Sequence, residues 1–575
     1  MTTPLFKQIV DMFYEKDKYK FYLLFLFSLI AGLFEYMGLI LIFQFVLFLS
    51  NPNTKYCAEI IKFFNNNFNI TENAQISLIL GISIASVYIL KNIYMLIFIH
   101  FNNKILEDLS VKMTLKTVKC MLFADYLSVA KISCEDKIAL LSKNEFIVWQ
   151  YCYKYVNLIV NCAIAAILIF YLFAKFTLPA LIAVVFVSIL SFVEYKYLKK
   201  HSTYQNKHFS SCFDILNSIL IKTINSIKEI KLNNKEEFYI NKIKQSAYEY
   251  AILNKNRSFC SIFHIYFTEI SVMFTFMVVL GVLFYTLNFD NQLLITSIST
   301  ICVIILRLTP LINRAQSCLY SINSNKSLVI ELLDFCNKFF SNITIETTNE
   351  ILPFEKKIEL KNINFNYGNN DSGLKDINLT INKGEFIGIV GKSGCYKTTL
   401  SLILAGLIKP KSGEILVDDK KILKNDYAKW QNNISLLGQD YCILCEELNE
   451  INSIYLQKLG LNISKELLIE NLSYGEKHRL AIANLLSKDK NVFILDEISS
   501  SCDVISENKI SDLLLEMKGR KTIISIAHRL QTLKHCDRIV FMDSGKIIDI
   551  GTFKELCERH KDFEKIVELS NFKLN

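Results

Sequence analysis

The C-terminal part of the chain contains the stretch FIGIVGKSGCYKT, which spans Phe386–Thr398. Its apolar beginning predicts a buried strand, and the residues that follow it have the pattern of a helix. A glycine-containing turn between a strand and a helix presents backbone N–H groups to phosphate. Lys397 would neutralise the terminal phosphate of a nucleotide, and the hydroxyl of Thr398 would bind magnesium. The stretch therefore predicts a phosphate-binding loop in an α/β domain.

Two further predicted strands end next to acids or a histidine. The apolar run 492–496 ends in Asp496 and is followed by Glu497, so Asp496 is suited to holding magnesium and Glu497 to polarising a water. His528 follows the strand predicted at 522–526, where it could sense the terminal phosphate. Taken alone, each of these residues would more often be structural. In this order and spacing they predict a domain that hydrolyses a nucleoside triphosphate.

The first half of the chain is more apolar than a soluble protein. Of the 575 residues, 51% are hydrophobic, so a membrane domain is expected. Six stretches are long and apolar enough to be membrane spans: 21–49, 76–101, 155–174, 178–193, 260–287 and 293–312. Lysine-rich segments between spans are expected in the cytoplasm. We predict an α-helical membrane domain of six spans at 1–325, a linker at 326–350 and an α/β P-loop ATPase domain at 351–575.

Charge and cysteine content exclude two other classes of protein. The net charge of +9 fits loops that face an anionic leaflet, and no basic patch with interleaved aromatics indicates nucleic acid. The 16 cysteines are scattered, which is typical of free thiols in a reducing compartment. Cys442 and Cys445 have metal-site spacing but no second pair. In the first loop, Tyr56, Ile60, Phe63 and Phe64 share one helix face, and this helix could lie on the outer membrane surface or pack on the span ends.

The last 225 residues resemble the nucleotide-binding domain of ATP-binding-cassette (ABC) transporters. Over the whole chain the resemblance is to a type IV ABC exporter half-transporter. It implies that Tyr367 stacks on adenine and that Gln439 links the magnesium site to the membrane domain. It also implies that the motif 472–480 contacts ATP held by an opposing subunit and that Asp503 lies in a loop crossing the dimer interface.

The resemblance assigns ATP and Mg²⁺ to named residues. The nucleotide contacts are Tyr367, Gly391, Lys392, Ser393, Gly394, Cys395, Tyr396, Lys397, Thr398, Thr399, Ser473, Gly475, Glu476 and Asp503. The catalytic residues are Glu497, His528, Gln439 and Lys397. The magnesium ligands are Thr398, Gln439 and Asp496. Because each composite site needs two such domains, a homodimer is implied, and a heterodimer stays open.

Two motifs depart from the family pattern. Tyr396 occupies the position of the last glycine of the phosphate loop, where glycine's conformational freedom is lost. The signature motif has Tyr474 and Glu476 where the family usually has a glycine and a glutamine. Glu497 and His528, whose loss marks inactive sites, are present. We therefore expect ATP hydrolysis, at a low rate.

Three basic residues lie within three different predicted spans: Lys91, His264 and Arg307. Each has an ordinary alternative, since Lys91 could snorkel, His264 lies near a span end, and Arg307 could pair with Glu269 or Glu35. Charged groups in spans are costly, and clustered cations recognise phosphate well. Together the three favour an anionic ligand in a membrane cavity.

The membrane half also resembles bacterial lipid-linked oligosaccharide and O-antigen flippases of the ABC exporter class. Short patches carry this resemblance: 88–91, 213–217, 264–266, 307–310 with 313–314, and the external helix near Tyr56. It implies an undecaprenyl-pyrophosphate glycan as substrate, membrane lipid as a partner, and a multi-pass protein of the bacterial inner membrane with both termini in the cytoplasm. The alternatives are a multidrug or peptide exporter, and a degenerate subunit of a heterodimeric exporter.

Overall fold

A computed structural model gives the fold of most of the chain. It describes residues 4–50, 55–68, 70, 72–175, 215–286, 291–340, 348–368, 372–438, 448, 450–461, 472–496, 504–526 and 533–564, with scattered positions between 181 and 213.

The chain divides into two compact units. The first consists of Met1–Leu122 and Ile132–Ser341, and the second consists of Phe123–Lys131 and Asn342–Asn575. The second unit thus includes a short piece of the N-terminal half. In this piece, the helix Tyr126–Ala130 presents Leu127 to the apolar core of the α/β domain.

The first unit is built from helices. They are α1 (Leu5–Phe13), α2 (Tyr19–Ser50), α3 (Lys55–Phe68), α4 (Asn73–Phe123, ending at the unit boundary), α6 (Cys134–Ile147), α7 (Tyr153–Lys175), α8 (Ile227–Leu232), α9 (Glu236–Thr286) and α10 (Asn291–Phe340). The label α5 is given to the helix Tyr126–Ala130, which belongs to the second unit. Helix α10 ends at Phe340. Residue 326 lies inside α10, and the domain boundaries given above stay predictions.

Four helical segments of the described chain are long and apolar enough to cross a membrane. They are Glu15–Val46, Asn73–Phe123, Cys134–Tyr171 and Glu236–Val282. They overlap the first, second, third and fifth predicted spans. The predicted span 178–193 lies largely outside the described residues, and 293–312 falls on α10, where the side chains of 291–301 are not described. Six spans therefore remain a prediction, while the helical membrane domain is confirmed.

Apolar side chains on the surface of α4 fit a lipid environment. Leu78, Leu90 and Leu96 are each more than half exposed on this helix. A water-soluble domain would bury such a row of leucines, whereas hydrocarbon solvates it. At the N-terminus, α1 instead buries Ile9 and Phe13 on one face, in keeping with its amphipathic sequence.

Helix α3 packs on the ends of neighbouring helices. Cys57 is buried in a cluster with Phe48 and Ile76, and Phe64 packs against that cluster. Phe63 is exposed on the other side of the helix. The amphipathic helix predicted in the first loop is thus confirmed, but Phe63, which the sequence predicts to lie on its apolar face, is exposed. The side chains of Tyr56 and Ile60 lie outside the described part of the structure.

A π-helical turn, Val148–Cys152, joins α6 to α7. A π turn holds one residue more than an α turn and so disturbs the regular hydrogen-bond ladder. The hydroxyl of Ser321, on α10, donates to the carbonyl oxygen of Gln150 in this turn at 2.7 Å. The irregular turn is therefore bound to a neighbouring helix.

The α/β domain contains two sheets. Its strands are β1 (Lys357–Asn366), β2 (Gly373–Asn382), β3 (Phe386–Gly391), β4 (Ser412–Val417), β5 (Lys420–Lys421), β6 (Ile434–Leu437), β7 (Val492–Asp496), β8 (Thr522–Ile526), β9 (Arg538–Asp543) and β10 (Lys546–Gly551). The smaller sheet has the order β2-β1-β4-β5 and the larger β10-β9-β3-β8-β7-β6. In the larger sheet β10 is antiparallel to β9, and the other neighbours are parallel.

Helices cover the larger sheet, as its continuous apolar strands require. They are α11 (Lys397–Leu404), α12 (Tyr427–Gln431), α13 (Ser453–Lys458), α14 (Tyr474–Ser487), α15 (Val504–Met517) and α16 (Phe553–Arg559). Trp430 is 1% exposed, and its indole N–H donates to the carbonyl of Leu404 at 2.9 Å. This bond ties α12 to the end of α11, the helix that begins at the phosphate loop.

Candidate nucleotide-binding site and membrane cation cluster

Four neighbouring parallel strands end at one edge of the larger sheet. β3, β8, β7 and β6 end at Gly391, Ile526, Asp496 and Leu437. In open α/β sheets, ligands bind beyond the carboxyl ends of the strands. The predicted phosphate loop follows β3, and Gln439, Glu497 and His528 follow the other three in sequence. The strand order thus brings the ends of the four strands that precede these predicted residues to a single edge.

Four predicted site residues lie outside the described part of the chain: Gln439, Glu497, Asp503 and His528. The described strands next to them have the predicted bounds, because β7 ends at Asp496 and β8 at Ile526. Their individual roles stay predictions.

The phosphate loop begins with a glycine that cannot be replaced easily. A Cβ on Gly391 would lie 2.1 Å from the carbonyl oxygen of Met542 on β9. Gly394 has a φ of +83°, a region that favours glycine. Lys392 and Ser393 are exposed in the loop between these glycines. Backbone crowding at one end and a left-handed turn at the other therefore shape the loop.

Cys395 of the same loop is a buried thiol. It is 3% exposed, and burial raises its pKa above the ordinary value. Since the thiolate is the reactive form, this cysteine is chemically quiet and serves as an apolar contact.

Tyr396 adopts a left-handed conformation immediately before α11. Its φ is 71° and its ψ is 28°. Its ring is partly buried against the apolar core of the α/β domain. For an L-residue other than glycine this backbone conformation costs about 1–2 kcal/mol. The chain thus keeps the turn that glycine would make, with a strained backbone and a packed ring.

Lys397 is the first residue of α11 and is 7% exposed. Its ammonium donates to the carbonyl oxygens of Gly391 and Lys392 at 2.9 and 3.1 Å. Both acceptors belong to the phosphate loop, so the cation lies across the loop's opening. The same ammonium also donates to the sulfur of Cys395 at 4.0 Å. A buried ammonium whose described acceptors are all neutral is well placed to exchange them for charged phosphate oxygens.

Thr398 and Asp496 are the two predicted magnesium ligands that the structure describes. The Thr398 hydroxyl donates to Oδ2 of Asp496 at 2.7 Å. Asp496 is 4% exposed. Magnesium prefers hard oxygen ligands and commonly takes one or two carboxylates with phosphate oxygens. A hydroxyl and a buried carboxylate, side by side next to the lysine of the loop, fit this ion.

Tyr367 lies beside the phosphate loop. Its hydroxyl is 2.9 Å from Oγ1 of Thr399, and its ring is 42% exposed. Phe365 supports the ring edge-to-face, at 5.1 Å between centroids. An exposed aromatic fixed next to the loop can stack on a base, which is the role that the family resemblance implies.

The signature motif opens α14 with a capping box. Ser473 is the N-cap, its backbone N–H donates to Oε2 of Glu476 at 2.9 Å, and its hydroxyl donates to the same oxygen at 2.7 Å. These bonds hold the pKa of Glu476 below its usual value. Gly475 lies in the first turn, and Tyr474 is 64% exposed. The glutamate that departs from the family pattern is therefore ionised and has a structural role.

In the first unit, Lys91 and Arg307 meet at one aromatic ring. The Lys91 ammonium is 5.6 Å from the ring centre of Tyr88, and the guanidinium carbon of Arg307 is 4.6 Å from it. Lys91 also forms an ion pair with Glu35 of α2. Glu35, one of the two acids suggested above as a partner of Arg307, thus pairs with Lys91. His264 is on α9, and its side chain is not described.

Sequence reasoning missed Tyr88 as the junction of these cations. Tyr88 and Lys91 are three residues apart, so they share a face of α4. This spacing could have indicated from the sequence that the ring lies beside the cation. The pairing of Lys91 with Glu35 joins two helices, and no local pattern indicates it.

Comparison with known proteins identifies the second unit. Residues 374–500 match the family model of the ABC transporter. The chain is 31% identical over 243 residues to the "Beta-(1-->2)glucan export ATP-binding/permease protein NdvA" of Agrobacterium fabrum, which covers 37% of this chain and 40% of that protein. It is 27% identical over 406 residues to the "ATP-dependent lipid A-core flippase" of Wigglesworthia glossinidia brevipalpis, covering 63% of this chain and 66% of that protein.

The fold of nearly the whole chain matches a solved structure, that of a bacterial Atm1-family ABC exporter with ATP bound. The TM-score is 0.75 at 16% identity, over 94% of this chain and 98% of the other. The chain spans less than two thirds of the length of the two curated relatives, so fold and ATPase domain are what these matches share with it. Residues 374–500 therefore match the ABC transporter family, and the chain as a whole has the fold of an exporter half-transporter, an N-terminal helical membrane domain followed by a C-terminal ABC-type ATPase domain.

Proposed function

We propose that the chain is half of an ATP-driven exporter that flips an undecaprenyl-pyrophosphate-linked oligosaccharide, or an O-antigen precursor, across the bacterial inner membrane. The observation that carries this proposal is the meeting of Lys91 and Arg307 at the ring of Tyr88 in the membrane domain. Cations are rare in such helices, and paired cations suit phosphate groups. The names of two relatives, a glucan exporter and a lipid A-core flippase, agree with a glycan-bearing or lipid cargo.

In this proposal the ATPase domain supplies the energy for transport. Lys397 holds the terminal phosphate, Tyr367 stacks on the adenine, and Glu497 polarises the attacking water. Thr398 and Asp496 hold Mg²⁺, which neutralises charge on the phosphates when bound. Closure of the ATPase domains is passed to the spans, in part by the segment 123–131, which belongs to the ATPase unit.

The same proposal makes the working unit a homodimer with both termini of each chain in the cytoplasm. The phosphate loop of one chain and the signature motif of the other, Ser473 to Glu476, would form each ATP site. Tyr396 and Tyr474 leave a heterodimer as the competing assembly. Purification of this chain alone distinguishes the two, since a stable and active homodimer contradicts an obligate heterodimer.

Rescue of surface glycan in a flippase-deficient bacterial strain tests the cargo. The wild-type chain is expected to restore the glycan, whereas Arg307→Ala and Lys397→Ala are expected to fail. Arg307→Ala should keep its basal ATPase activity, because only the cation cluster is changed. Arg520→Ala, which removes an exposed arginine of the ATPase domain, is the control and should rescue like wild type.

The rescue has two informative failures. If the wild-type chain hydrolyses ATP but restores no glycan, the cargo is a soluble or amphipathic compound, and the flippase proposal is wrong. If Arg307→Ala rescues fully, the cation cluster is not the site of the head group.

Glu497→Gln is expected to abolish ATPase activity of the purified protein, and unchanged activity would contradict the hydrolysis mechanism.

A further inference from the structure

Three helices of the membrane domain meet at Tyr88. The ring belongs to α4, and its hydroxyl oxygen lies against α2, 3.0 Å from where a Cβ on Gly38 would be. From α10, the guanidinium carbon of Arg307 lies 4.6 Å from the ring centre. The hydroxyl oxygen of Tyr88 is buried near the side chain of Arg307, and it makes no hydrogen bond of good geometry with any described residue. The junction thus holds a cation and an unused polar group.

Glu35 contributes the negative charge of this junction. It is 7% exposed, and one of its carboxylate oxygens accepts from the ammonium of Lys91. The other oxygen, Oε2, is buried and has no hydrogen-bond partner among the described side chains and backbone. A buried carboxylate with one unbonded oxygen is poorly compensated. The ion pair with Lys91 is therefore open to replacement by a better-bonded arrangement.

We propose that Glu35 is an internal counter-ion that the substrate displaces from Lys91. Without substrate, the carboxylate of Glu35 is bound to Lys91. Of the two cations, Lys91 and Arg307, only Arg307 then has no carboxylate partner among the described residues. When an anionic head group arrives, its phosphate oxygens take both Lys91 and Arg307. This inference rests on the proposed function, because it needs an anionic lipid-linked substrate.

Chemistry and geometry both favour the exchange. A lysine ammonium is a point charge on a flexible stem, so it can turn from one anion to another. A diphosphate offers more oxygens than the single one by which Glu35 holds Lys91. Glu35 and Gly38 are three residues apart and share a face of α2. Because the Tyr88 hydroxyl lies against Gly38, it can donate to the displaced carboxylate.

An internal competitor lowers affinity and promotes release. Each binding event has to break the ion pair between Glu35 and Lys91, and the pair forms again when the head group leaves. Glu35 is thus a positioning residue, which acts on the substrate through Lys91. Removing it should tighten the binding of anionic lipid, although the site loses a polar group.

The Kd of the purified full-length protein in nanodiscs for undecaprenyl diphosphate tests this role. Glu35→Gln is expected to lower the Kd by roughly tenfold, the size typical of a lost close-range charge competitor. Glu194→Gln is the matched control. Glu194 is another buried carboxylate of the membrane domain, bonded to Gln316 at 2.8 Å, and its loss should leave the Kd unchanged.

A double variant separates contact with Lys91 from a general effect of charge. In a Lys91→Gln background, Glu35→Gln should change the Kd by less than about twofold, because the competitor has nothing left to hold. Glu35→Asp keeps the charge on a shorter side chain and should also tighten binding. Glu35→Asp is the variant to measure if Glu35→Gln does not fold. Tyr88→Phe keeps the ring but removes the hydroxyl, and it should weaken binding several-fold.

The possible contradictions are distinct. An equal effect of Glu35→Gln with and without Lys91 would show a long-range charge effect and overturn the counter-ion role. An unchanged or raised Kd in Glu35→Gln and Glu35→Asp would also overturn it, while wild-type binding of the lipid left the proposed function intact. Absence of lipid binding by the wild type would sink the proposed function and this inference together.

Discussion

Tyr396 shows how one side chain can preserve a turn that normally needs glycine. Its backbone is left-handed, with a φ of 71°, and its ring packs on the core of the ATPase domain. The backbone term opposes folding, and burial of the ring favours it. Glycine, alanine and tyrosine at this position therefore separate the two contributions.

Tyr396→Gly and Tyr396→Ala make this separation measurable. Both lose the ring, but only alanine keeps a Cβ in the left-handed region, so the glycine variant should be the more stable by about 1 kcal/mol. We expect the glycine variant to have the lower KM for ATP as well, because its loop reaches the phosphate-binding shape without strain. Thermal unfolding and ATPase kinetics of the purified variants provide the measurements. Equal stability of the two would show that the left-handed backbone carries no strain.

Glu476 predicts a pH dependence and a charge effect. Its pKa is lowered from the ordinary 4.5 by bonds to Ser473, so its contribution to stability is present above pH 4.5 and is lost as pH falls through the lower, folded value. Glu476→Gln keeps a capping acceptor but removes a charge from the motif proposed to face a partner's ATP. We expect a lower melting temperature at pH 7, because the contribution of the ionised carboxylate is lost, together with a weaker acid dependence and a KM for ATP several-fold lower at low salt.

A second capping box supplies the control for this variant. The backbone N–H of Thr552 donates to Oε2 of Glu555 at 2.8 Å, as Ser473 does to Glu476, and bonds to Thr552 likewise lower the pKa of Glu555. Glu555→Gln should alter the acid dependence similarly and leave the KM for ATP unchanged. If Glu476→Gln also leaves the KM unchanged, its charge does not act on ATP.

Among the elements, the strands of the ATPase domain could be predicted from sequence because their signals are local. The apolar runs before Lys397, Asp496 and His528 correspond to β3, β7 and β8. Tertiary pairings could not be predicted in this way. Glu35 and Lys91 are 56 residues apart, and either of two acids could have been assigned to Arg307. Helical periodicity places such residues on a face but does not choose the partner helix.

The π turn Val148–Cys152 could not be predicted from the sequence either, because its residues have the pattern of a continuous helix. We expect Ser321→Ala to destabilise the detergent-solubilised protein by about 1 kcal/mol, because the Gln150 carbonyl loses the donor that reaches it from α10. Ser324→Ala is the control, since its hydroxyl bonds mainly within its own helix. Thermal unfolding should show a smaller effect for Ser324→Ala, and equal shifts would argue that the bond to the π turn adds nothing.

At the scale of the whole molecule, the order of the chain and the order of the units differ. The chain passes from the first unit into the second at Phe123, returns at Ile132, and enters the second again at Asn342. The predicted domains, 1–325 and 351–575, describe a single crossing. A nine-residue excursion from one unit into another has no composition shift to mark it, so the sequence offered no signal for it.

This excursion has a consequence for biosynthesis. Lys131 leaves the ribosome 211 residues before Asn342, the difference between the two numbers, so Leu127 is made long before the core against which it packs. At about 5–20 residues per second, the wait is roughly 10–40 s before the first residue of that domain is even added. During this interval the segment has to remain unpaired while the membrane helices on both sides are inserted. The nascent chain therefore completes its two units in an interleaved order. The segment 123–131, from the first quarter of the chain, packs only after residues near the end of the chain have been made.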